Sequence, residues 1–282
     1  MAKFRYGCVT FTWSMSGPTY VGALPHMCNI IKQAGCTGIE TQANIMGNYW
    51  EDRALMLDLL QEQALDLAAL AFGNTYHSPT LSNDEHAAAE RIFDYLALFP
   101  EPRLSLSHYS QSRDNLLERQ RNAIACLNAV GRLAADRGIA CSFHPSSYPT
   151  SIFRVESDYQ LMLDGLDPTV VTYCPDSGHI ANGGMDVYAI FSTYASIIGH
   201  VHMKDISADR QWVPIGEGVI DFPRLLKILD SADYKGWISF EEESPGAVID
   251  PDGATRAAGR YLVETLLPLG YGTENLERVH GN

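Results

Sequence analysis

The feature that most constrains this chain is a repeated alternation between short apolar segments and amphipathic helical segments. Eight segments rich in β-branched and aromatic residues occur, and a helical pattern follows each of them without an intervening linker. Strands that alternate with helices predict a parallel sheet with right-handed crossovers. Because eight such units fit into 282 residues, we predict a single-domain α/β fold, a closed (β/α)8 TIM barrel.

The predicted elements place the barrel, a catalytic domain, in residues 1–269 and leave residues 270–282 as a polar C-terminal tail. An open doubly wound sheet is the alternative, but no Gly-x-Gly-x-x-Gly follows a predicted strand to support it. The predicted strands cover residues 4–11, 37–41, 65–72, 103–109, 139–145, 171–175, 198–205 and 237–244. The predicted helices cover residues 20–33, 51–63, 83–98, 115–137, 156–163, 186–194, a segment capped by Asp221, and 254–267.

The charge balance argues against two classes of partner. The chain has 34 acidic and 20 basic residues, with a formal net charge of −14. Nucleic-acid backbones and anionic membrane surfaces are bound through clusters of Lys and Arg, so we expect neither partner. The six cysteines form no Cys-x-x-Cys pair, and neither a signal peptide nor a membrane-spanning run is evident. We therefore predict a cytoplasmic protein with reduced thiols and a small-molecule substrate; homo-oligomer formation is left open.

Metal-ligand side chains occur where three predicted strands end. Asp176, His202 and Glu241 each follow an apolar run, and the carboxyl ends of barrel strands share one mouth. Because strand side chains alternate, these three and His144 have the parity that faces the barrel axis. Mixed imidazole and carboxylate ligands suit Mn²⁺, Co²⁺, Fe²⁺ or Zn²⁺ better than Ca²⁺. The sequence therefore predicts one divalent-metal site.

Some of these side chains also have simpler interpretations. Taken alone, His144 is more typical of an ordinary strand-end histidine that is hydrogen-bonded to a neighbour. His200 falls one layer deeper than His202, where it would be a core residue or support the ligands. Glu242 has the opposite parity to Glu241, and both Glu242 and Glu243 are expected in solvent.

Further polar and aromatic residues are candidates for substrate binding or proton transfer. His179 follows Asp176 by three residues and can bind substrate or act as an acid or base; a plain loop histidine is the alternative. Glu217 lies in a Gly-Glu-Gly loop that we expect to fold inward as a catalytic base. Lys204 is a substrate-binding candidate, or a surface ion pair with Asp205. Glu40 and His108 are predicted at the ends of strands two and four. The aromatic rings of Trp13, Tyr76 and Trp212 are predicted to form pocket walls, with core packing as the alternative.

Four segments carry a family resemblance. The chain resembles the xylose-isomerase-like superfamily of sugar phosphate isomerases and epimerases over nearly its whole length. Within it the chain looks most like the inosose dehydratases, which share the strand-five His-Pro pair seen at 144–145. The segments are Cys-Pro-Asp-Ser-Gly-His at 174–179, Gly-His-Val-His-Met-Lys-Asp at 199–205, Pro-Ile-Gly-Glu-Gly-Val-Ile-Asp-Phe at 214–222 and Tyr-Lys-Gly-Trp-Ile-Ser-Phe-Glu-Glu-Glu at 234–243.

The resemblance implies a TIM barrel that uses Mn²⁺ or Co²⁺, with Zn²⁺, Fe²⁺ and Mg²⁺ as alternatives. It assigns the metal to Asp176, His202 and Glu241. Epimerases of the superfamily carry a glutamate where this chain has His144, and the dehydratases usually carry a further histidine soon after the proline, where Ser146 to Tyr148 stand here. The related endonuclease IV enzymes need a basic track for DNA, which the acidic charge balance does not favour.

The residues and the resemblance together predict an enzyme that acts on a keto-sugar or keto-cyclitol through a metal-stabilised enediolate. A base removes the proton next to the carbonyl, with His144, His179 and Glu217 as candidates and Glu241 as a metal ligand that takes part in catalysis. The imidazole of His144 favours β-elimination, as in an inosose dehydratase. The alternatives are a sugar isomerase or epimerase, a 3-keto-glycoside lyase or hydrolase, and a non-catalytic sugar-binding barrel.

Overall fold

Eight parallel strands form one sheet that closes on itself. The computed structural model describes residues 4–272. The spatial order is β6-β5-β4-β3-β2-β1-β8-β7. Two parallel bridges, Tyr173 with Ile198 and Asp176 with His202, join β6 to β7 along a line that we call the seam. The predicted single-domain TIM barrel is thereby confirmed. The strands are β1 Arg5–Val9, β2 Gly38–Gln42, β3 Asp66–Asn74, β4 Arg103–His108, β5 Ala140–Phe143, β6 Thr172–Tyr173, β7 Val201–Met203 and β8 Trp237–Phe240.

Helices surround the barrel, and within residues 4–272 none is long and apolar enough to cross a membrane. The principal helices are α1 Leu24–Gln33, α2 Arg53–Gln63, α3 Asn83–Leu96, α4 Leu116–Ala135, α5 Glu156–Gly165, α6 Val187–Thr193, α7 Phe222–Ser231 and α8 Pro251–Tyr261. The shorter helical segments are Phe11–Ser14, Gly17–Tyr20, Ala43–Met46, Asn48–Glu51, Ser177–Asn182, Ala195–Ile197, Pro245–Ile249, Leu262–Leu266 and Leu267–Leu269. A two-stranded hairpin of Asp205–Ile206 and Trp212–Val213 follows β7.

Local sequence signals explain where the helices begin. Ser82 accepts a hydrogen bond from the amide of Glu85, whose carboxylate bonds back to Ser82, so this pair forms the predicted cap of α3. Asp221 accepts from the amide of Arg224 at the start of α7, as predicted. The apolar face that α7 buries against the barrel consists of Phe222, Leu225, Leu226 and Leu229.

The C-terminal boundary differs from the prediction. Tyr271, assigned to a polar tail, is buried, and its ring stacks on Phe4 at a centroid distance of 5.4 Å. Barrel packing therefore continues past residue 269, because an aromatic ring so placed covers apolar surface at the start of β1. The remainder of the predicted tail, residues 273–282, lies outside the described residues.

The seam is closed by backbone contacts that leave no room for a side chain at Gly199. The amide of Gly199 donates to the carbonyl of Tyr173 at 2.9 Å, and that of His202 donates to the carbonyl of Pro175 at 2.9 Å. A Cβ on Gly199 would clash with the hydroxyl of Thr172, which is itself bonded to Ser142. Glycine is required at this position by the close approach of β6.

We expect Gly199→Ala to lower the free energy of unfolding by about 1–3 kcal/mol, the usual cost of overpacking a filled interior. The added methyl must push β6 and β7 apart at the seam. Gly246→Ala is the matched control, because the nearest atom to its added Cβ would be Ser244 Oγ at 3.7 Å. Chemical denaturation of both variants measures the difference, and equal stability of the two would contradict the packing described for the seam.

Candidate functional site

Four metal-ligand side chains converge at the carboxyl end of the barrel, and we call them the ligand cluster: His144, Asp176, His202 and Glu241. Each is buried, and one ligand atom from each lies within 4.8 Å of the others. His144 Nε2 is 3.4 Å from Asp176 Oδ2 and 4.0 Å from Glu241 Oε2, while His202 Nδ1 is 3.0 Å from Glu241 Oε2. The structure therefore brings together the four residues that the strand ends predicted as metal ligands.

The spacing of these atoms fits a divalent ion. Ligand distances of ~2.0–2.2 Å in a tetrahedral site place neighbouring ligand atoms about 3.4 Å apart, in the range of the separations measured in the ligand cluster. The set offers two imidazoles and two carboxylates, which suits a borderline transition metal. Burial opposes a charge on Glu241, but Lys204 and His202 lower its pKa to about 2, so its carboxylate is ionised and able to bind a cation.

Glu40 lies beneath the ligand cluster and orients His202. Its Oε2 is 2.7 Å from His200 Nε2 and 2.9 Å from His202 Nε2. Burial opposes a charge on His202, yet the carboxylates of Glu40 and Glu241 raise its pKa to about 10. Because Glu40 binds Nε2, the Nδ1 atom of His202 is directed towards Glu241. Glu40 also lines the cavity, and His200 occupies the deeper layer predicted for it.

Lys204 is buried among carboxylates and is not part of a surface ion pair. Its ammonium lies 2.6 Å from Glu243 Oε1, 3.1 Å from Glu241 Oε2 and 3.3 Å from Asp176 Oδ2. Only 1% of Lys204 is exposed. Burial disfavours the ammonium, but Asp176, Glu241 and Glu243 raise its pKa well above the usual value. Lys204 directly follows β7 and has the inward parity of His202. Its ammonium therefore lies at the edge of the cavity, where it neutralises the carboxylates.

Glu242 and Glu243 are both buried, so the expectation that they lie in solvent is wrong. Glu243 lines the cavity, and its Oε2 accepts a hydrogen bond from the Tyr148 hydroxyl at 3.0 Å. Glu242 points the other way, as its parity predicted, and accepts from the amides of Ile215 and Ser244 at 3.1 and 2.8 Å. Glu243 is therefore a cavity carboxylate that the sequence analysis missed, although its parity matches that of Glu241.

His179 lines the cavity as a neutral imidazole. Its Nδ1 lies 2.8 Å from Ser147 Oγ, and its Nε2 lies 3.1 Å from the ammonium of Lys204. Burial and the charge of Lys204 lower the pKa of His179 to about 3. The backbone amide of Ser147 also donates to Nδ1 at 3.2 Å, so this ring contacts both Lys204 and the loop after β5 and positions them at neutral pH.

Glu217 is exposed and lies outside the cavity, which corrects its predicted role as an inward-folding base. Its loop is fixed because the carboxylate of Asp205 accepts from the amides of Gly216 and Gly218, both at 3.0 Å, and of Ile220 at 3.3 Å. A loop anchored at three amides keeps its intervening side chain on the solvent side.

The aromatic candidates lie behind the cavity wall. Trp13 is fully buried and donates from Nε1 to Asp252 Oδ1 at 2.8 Å, so its predicted substrate contact is corrected to core packing. Tyr76 is likewise buried outside the lining. Trp212 packs edge-on against His179, with ring centroids 5.3 Å apart, and does not line the cavity. His108 does line it and bonds through Nε2 to the carbonyl of Thr75.

The cavity above the ligand cluster has a volume of about 240 Å³. Its lining includes three members of the ligand cluster, His144, His202 and Glu241, together with Glu243 and hydroxyl groups of β4 and of the loop after β5. Ser105 and Ser107 were not among the predicted site residues, although they alternate on β4 with the parity of an inward face. The hydroxyl-bearing residues of the lining are Ser105, Ser107, Tyr109, Ser110, Ser146, Tyr148, Thr150 and Ser151.

Comparison with known sequences identifies related proteins. The model of the xylose isomerase-like TIM barrel family matches residues 28–265. Inosose dehydratase of Clostridium beijerinckii is 31% identical over 156 residues, 49% of this chain and 52% of that protein. The match thus spans about half the length of that relative. Inosose dehydratase of Halalkalibacterium halodurans is 22% identical over 302 residues, 94% of this chain and 96% of that protein.

Two solved structures illustrate the shared fold. The apo form of 3-keto-D-glucoside 4-epimerase from E. coli superposes with a TM-score of 0.71 at 17% identity, covering 93% of this chain and 100% of that one. The IolI protein with a bound zinc atom gives a TM-score of 0.69 at 16% identity, covering 93% and 97%. At these identities the likeness shows a shared fold.

If the ligand cluster binds a metal, Asp176→Asn, His202→Gln and Glu241→Gln should each weaken metal binding by more than ~100-fold, because each removes a ligand charge or atom. Isothermal titration calorimetry with Mn²⁺ and Zn²⁺ measures the affinity. His108→Gln serves as the matched control, since it changes a cavity histidine bonded to Thr75 rather than to the cluster. Unchanged affinity in the three variants, with folding intact, would exclude the site.

Metal binding near neutral pH should also release about one proton, because the metal displaces it from His202, whose pKa is raised to about 10. Affinity should therefore fall about tenfold for each pH unit below that value. Calorimetry in two buffers of different ionisation enthalpy counts the protons. Glu40→Gln lowers the pKa of His202 and should reduce the count, whereas no proton release from the wild type would contradict this account.

Proposed function

Because this chain belongs to the xylose isomerase-like TIM barrel family, we propose that it is a divalent-metal enzyme that eliminates a β-hydroxyl from a keto-sugar or keto-cyclitol, as an inosose dehydratase does. The observation that carries the proposal is the ligand cluster beside a cavity whose lining also bears hydroxyl groups. Such a cavity suits a substrate with a chelating end and several alcohol groups. The whole-length similarity to a protein named inosose dehydratase supports the same reaction class.

We assign the metal to Asp176, His202 and Glu241, and propose Mn²⁺ or Co²⁺, with Zn²⁺, Fe²⁺ and Mg²⁺ as alternatives. A divalent ion bound there supplies Lewis acidity, which polarises a ketone and acidifies the neighbouring C–H bond. Lys204, beside Glu241 and Asp176, holds the two carboxylates in place. His202 is kept in the correct orientation by Glu40.

The proton transfers are assigned to His144 and Glu243, both of which line the cavity. His144 makes the longest contacts in the ligand cluster, 3.4 and 4.0 Å, so its imidazole is the member held least closely by its neighbours. We propose that it donates a proton to the departing β-hydroxyl, since imidazolium is a competent acid near neutral pH. Glu243, held by Lys204 and Tyr148, is positioned to accept the proton from the carbon next to the ketone.

Epimerisation is the second candidate, and Glu243 is the observation that favours it. Removal of a proton from one face of a sugar and its return on the other needs two groups on opposite sides. The sequence analysis found a histidine in place of the second glutamate of the epimerases, but Glu243 gives the cavity a carboxylate outside the ligand cluster. A pair formed by Glu243 and His144 can serve such an exchange.

A cytoplasmic location is part of the proposal. All six cysteines are free and buried: Cys8, Cys28, Cys36, Cys126, Cys141 and Cys174. Burial raises the pKa of these thiols, for example that of Cys141 to about 12, so they stay protonated and unreactive. Reduced, buried thiols are typical of proteins in a reducing compartment.

We expect the metal-loaded enzyme to convert 2-keto-myo-inositol to an unsaturated product that absorbs in the near ultraviolet, with exchange of solvent deuterium at the carbon next to the ketone. His144→Ala should slow product formation by ~10²-fold or more, the usual contribution of a general acid, and slow deuterium exchange far less. Absorbance measures the product, and NMR measures the exchange.

His86→Ala, a change at an exposed histidine, is the control and should retain both rates. If His144→Ala slowed product formation and deuterium exchange equally, His144 would not be the acid that protonates the departing hydroxyl. Clean conversion of a ketose to its epimer, without an absorbing product, would replace the elimination by epimerisation.

A further inference from the structure

A second group of metal-ligand side chains lies one layer deeper in the barrel, and we call it the deep group: Glu40, His200 and His202. All three are buried, and one ligand atom from each lies within 4.8 Å of the others. Glu40 is on β2, His202 is on β7, and His200 immediately precedes β7. Because β1 and β8 separate β2 from β7 in the sheet, the deep group spans the interior of the barrel.

The separations among the ligand atoms of the deep group fit one small cation. Glu40 Oε2 lies 2.7 Å from His200 Nε2 and 2.9 Å from His202 Nε2. Ligand atoms ~2.0–2.2 Å from a tetrahedral ion lie about 3.4 Å apart, so each pair would separate by about 0.5–0.7 Å to admit one. Ser239 Oγ, 3.2 Å from His200 Nε2, adds an oxygen donor. Two imidazoles with oxygen donors suit Zn²⁺ or Co²⁺.

His202 belongs to both groups because its two ring nitrogens face different partners. Its Nδ1 is 3.0 Å from Glu241 Oε2 in the ligand cluster, and its Nε2 is 2.9 Å from Glu40 Oε2 in the deep group. Metal ions displace the protons of the nitrogens that they bind. One imidazole that has lost both N–H protons can therefore bind one ion at each nitrogen.

Glu40 has a buried oxygen that the hydrogen bonds of the deep group leave unused. Its side chain is 0% exposed, and among residues 4–272 its Oε1 atom has no hydrogen-bond partner. A buried acceptor without a partner is costly and commonly marks the position of an ion or a water molecule. A cation held by both oxygens of Glu40 would satisfy this atom. Glu40 also lines the cavity, which gives an ion a route to the deep group.

We propose that the deep group binds a second divalent ion, Zn²⁺ or Co²⁺, and that His202 bridges it to the ion of the ligand cluster. The deep group has one carboxylate and the ligand cluster has two, so the deep ion binds second and more weakly. It joins β2 to β7 across the barrel and fixes the ring of His202. The chemistry on the substrate stays with the ion of the ligand cluster.

The test counts the ions that bind to chelator-treated protein during titration with Co²⁺, by native mass spectrometry. We expect two ions per chain in the wild type. His200→Gln should bind one, because loss of a ligand atom weakens the second site by more than ~100-fold. His26→Ala, a change at an exposed histidine bonded to Asp252, is the matched control and should keep two. Loss of the second ion in His26→Ala would identify an adventitious surface ion and overturn the inference.

Electron paramagnetic resonance of the wild type tests the bridge without any variant. Two Co²⁺ ions that share one imidazole are magnetically coupled, so the signal of the first ion should weaken as the second binds. Two ions without coupling would place the second away from His202 and overturn the inference, even if His200→Gln does not fold.

The remaining outcomes separate this inference from the proposed function. One ion in the wild type at saturating Co²⁺, two in His200→Gln, or none in a folded His200→Gln would overturn the deep site. Two coupled ions without conversion of any keto-cyclitol would support the deep site and refute the elimination. One ion with conversion of 2-keto-myo-inositol would support the elimination and refute the deep site.

Discussion

Asp176 is the residue on which the geometry of the site depends. Its backbone pairs with His202 across the seam, so it helps to close the barrel. Its Oδ1 accepts from the amide of His179 at 2.8 Å and caps the helix Ser177–Asn182, and its Oδ2 faces Lys204 and His144. One side chain thus couples barrel closure, the path of the chain after β6 and the charged cluster. Any displacement of the seam would move the ligand atoms with it.

The charges around Asp176 suit the binding of a cation. Glu40, Asp176, Glu241 and Glu243 are buried together, and only Lys204 and the protonated His202 oppose them within the described residues. Buried ions cost several kcal/mol each unless they are paired. The carboxylates outnumber these cations, so the residues around the ligand cluster keep an excess of negative charge that favours a divalent ion. The cluster is thus organised around opposite charge rather than around apolar packing.

Side chains alternate in direction along the segments that follow β7 and β8, so neighbouring charged residues have different partners. Glu241 and Glu243 face the cavity, whereas Glu242, between them, fixes the amides of Ile215 and Ser244. The same division follows β7, where Lys204 turns inward and Asp205 holds the glycine-rich loop. Two of these five charged residues, Glu242 and Asp205, therefore hold the loops of the rim, and the other three face the ligand cluster or the cavity.

The sequence by itself determined the barrel and the identity of the ligand cluster. Strand and helix periodicity is local, and parity places Asp176, His202 and Glu241 on one face without any knowledge of distant contacts. The alternation of side chains also places Ser105, Ser107 and Glu243 on the inward face. No local sequence feature, however, shows which inward residues border a cavity.

Only the tertiary structure decided the burial and the partners of the remaining residues. Trp13 and Glu217 are local sequence candidates, yet their positions are set by Asp252 and Asp205, which are distant from them along the chain. Lys204 became an internal cation because the ends of two strands, β6 and β8, bring three carboxylates to it. Long-range packing and electrostatics act between residues far apart in sequence, so a pattern read along the chain does not contain them.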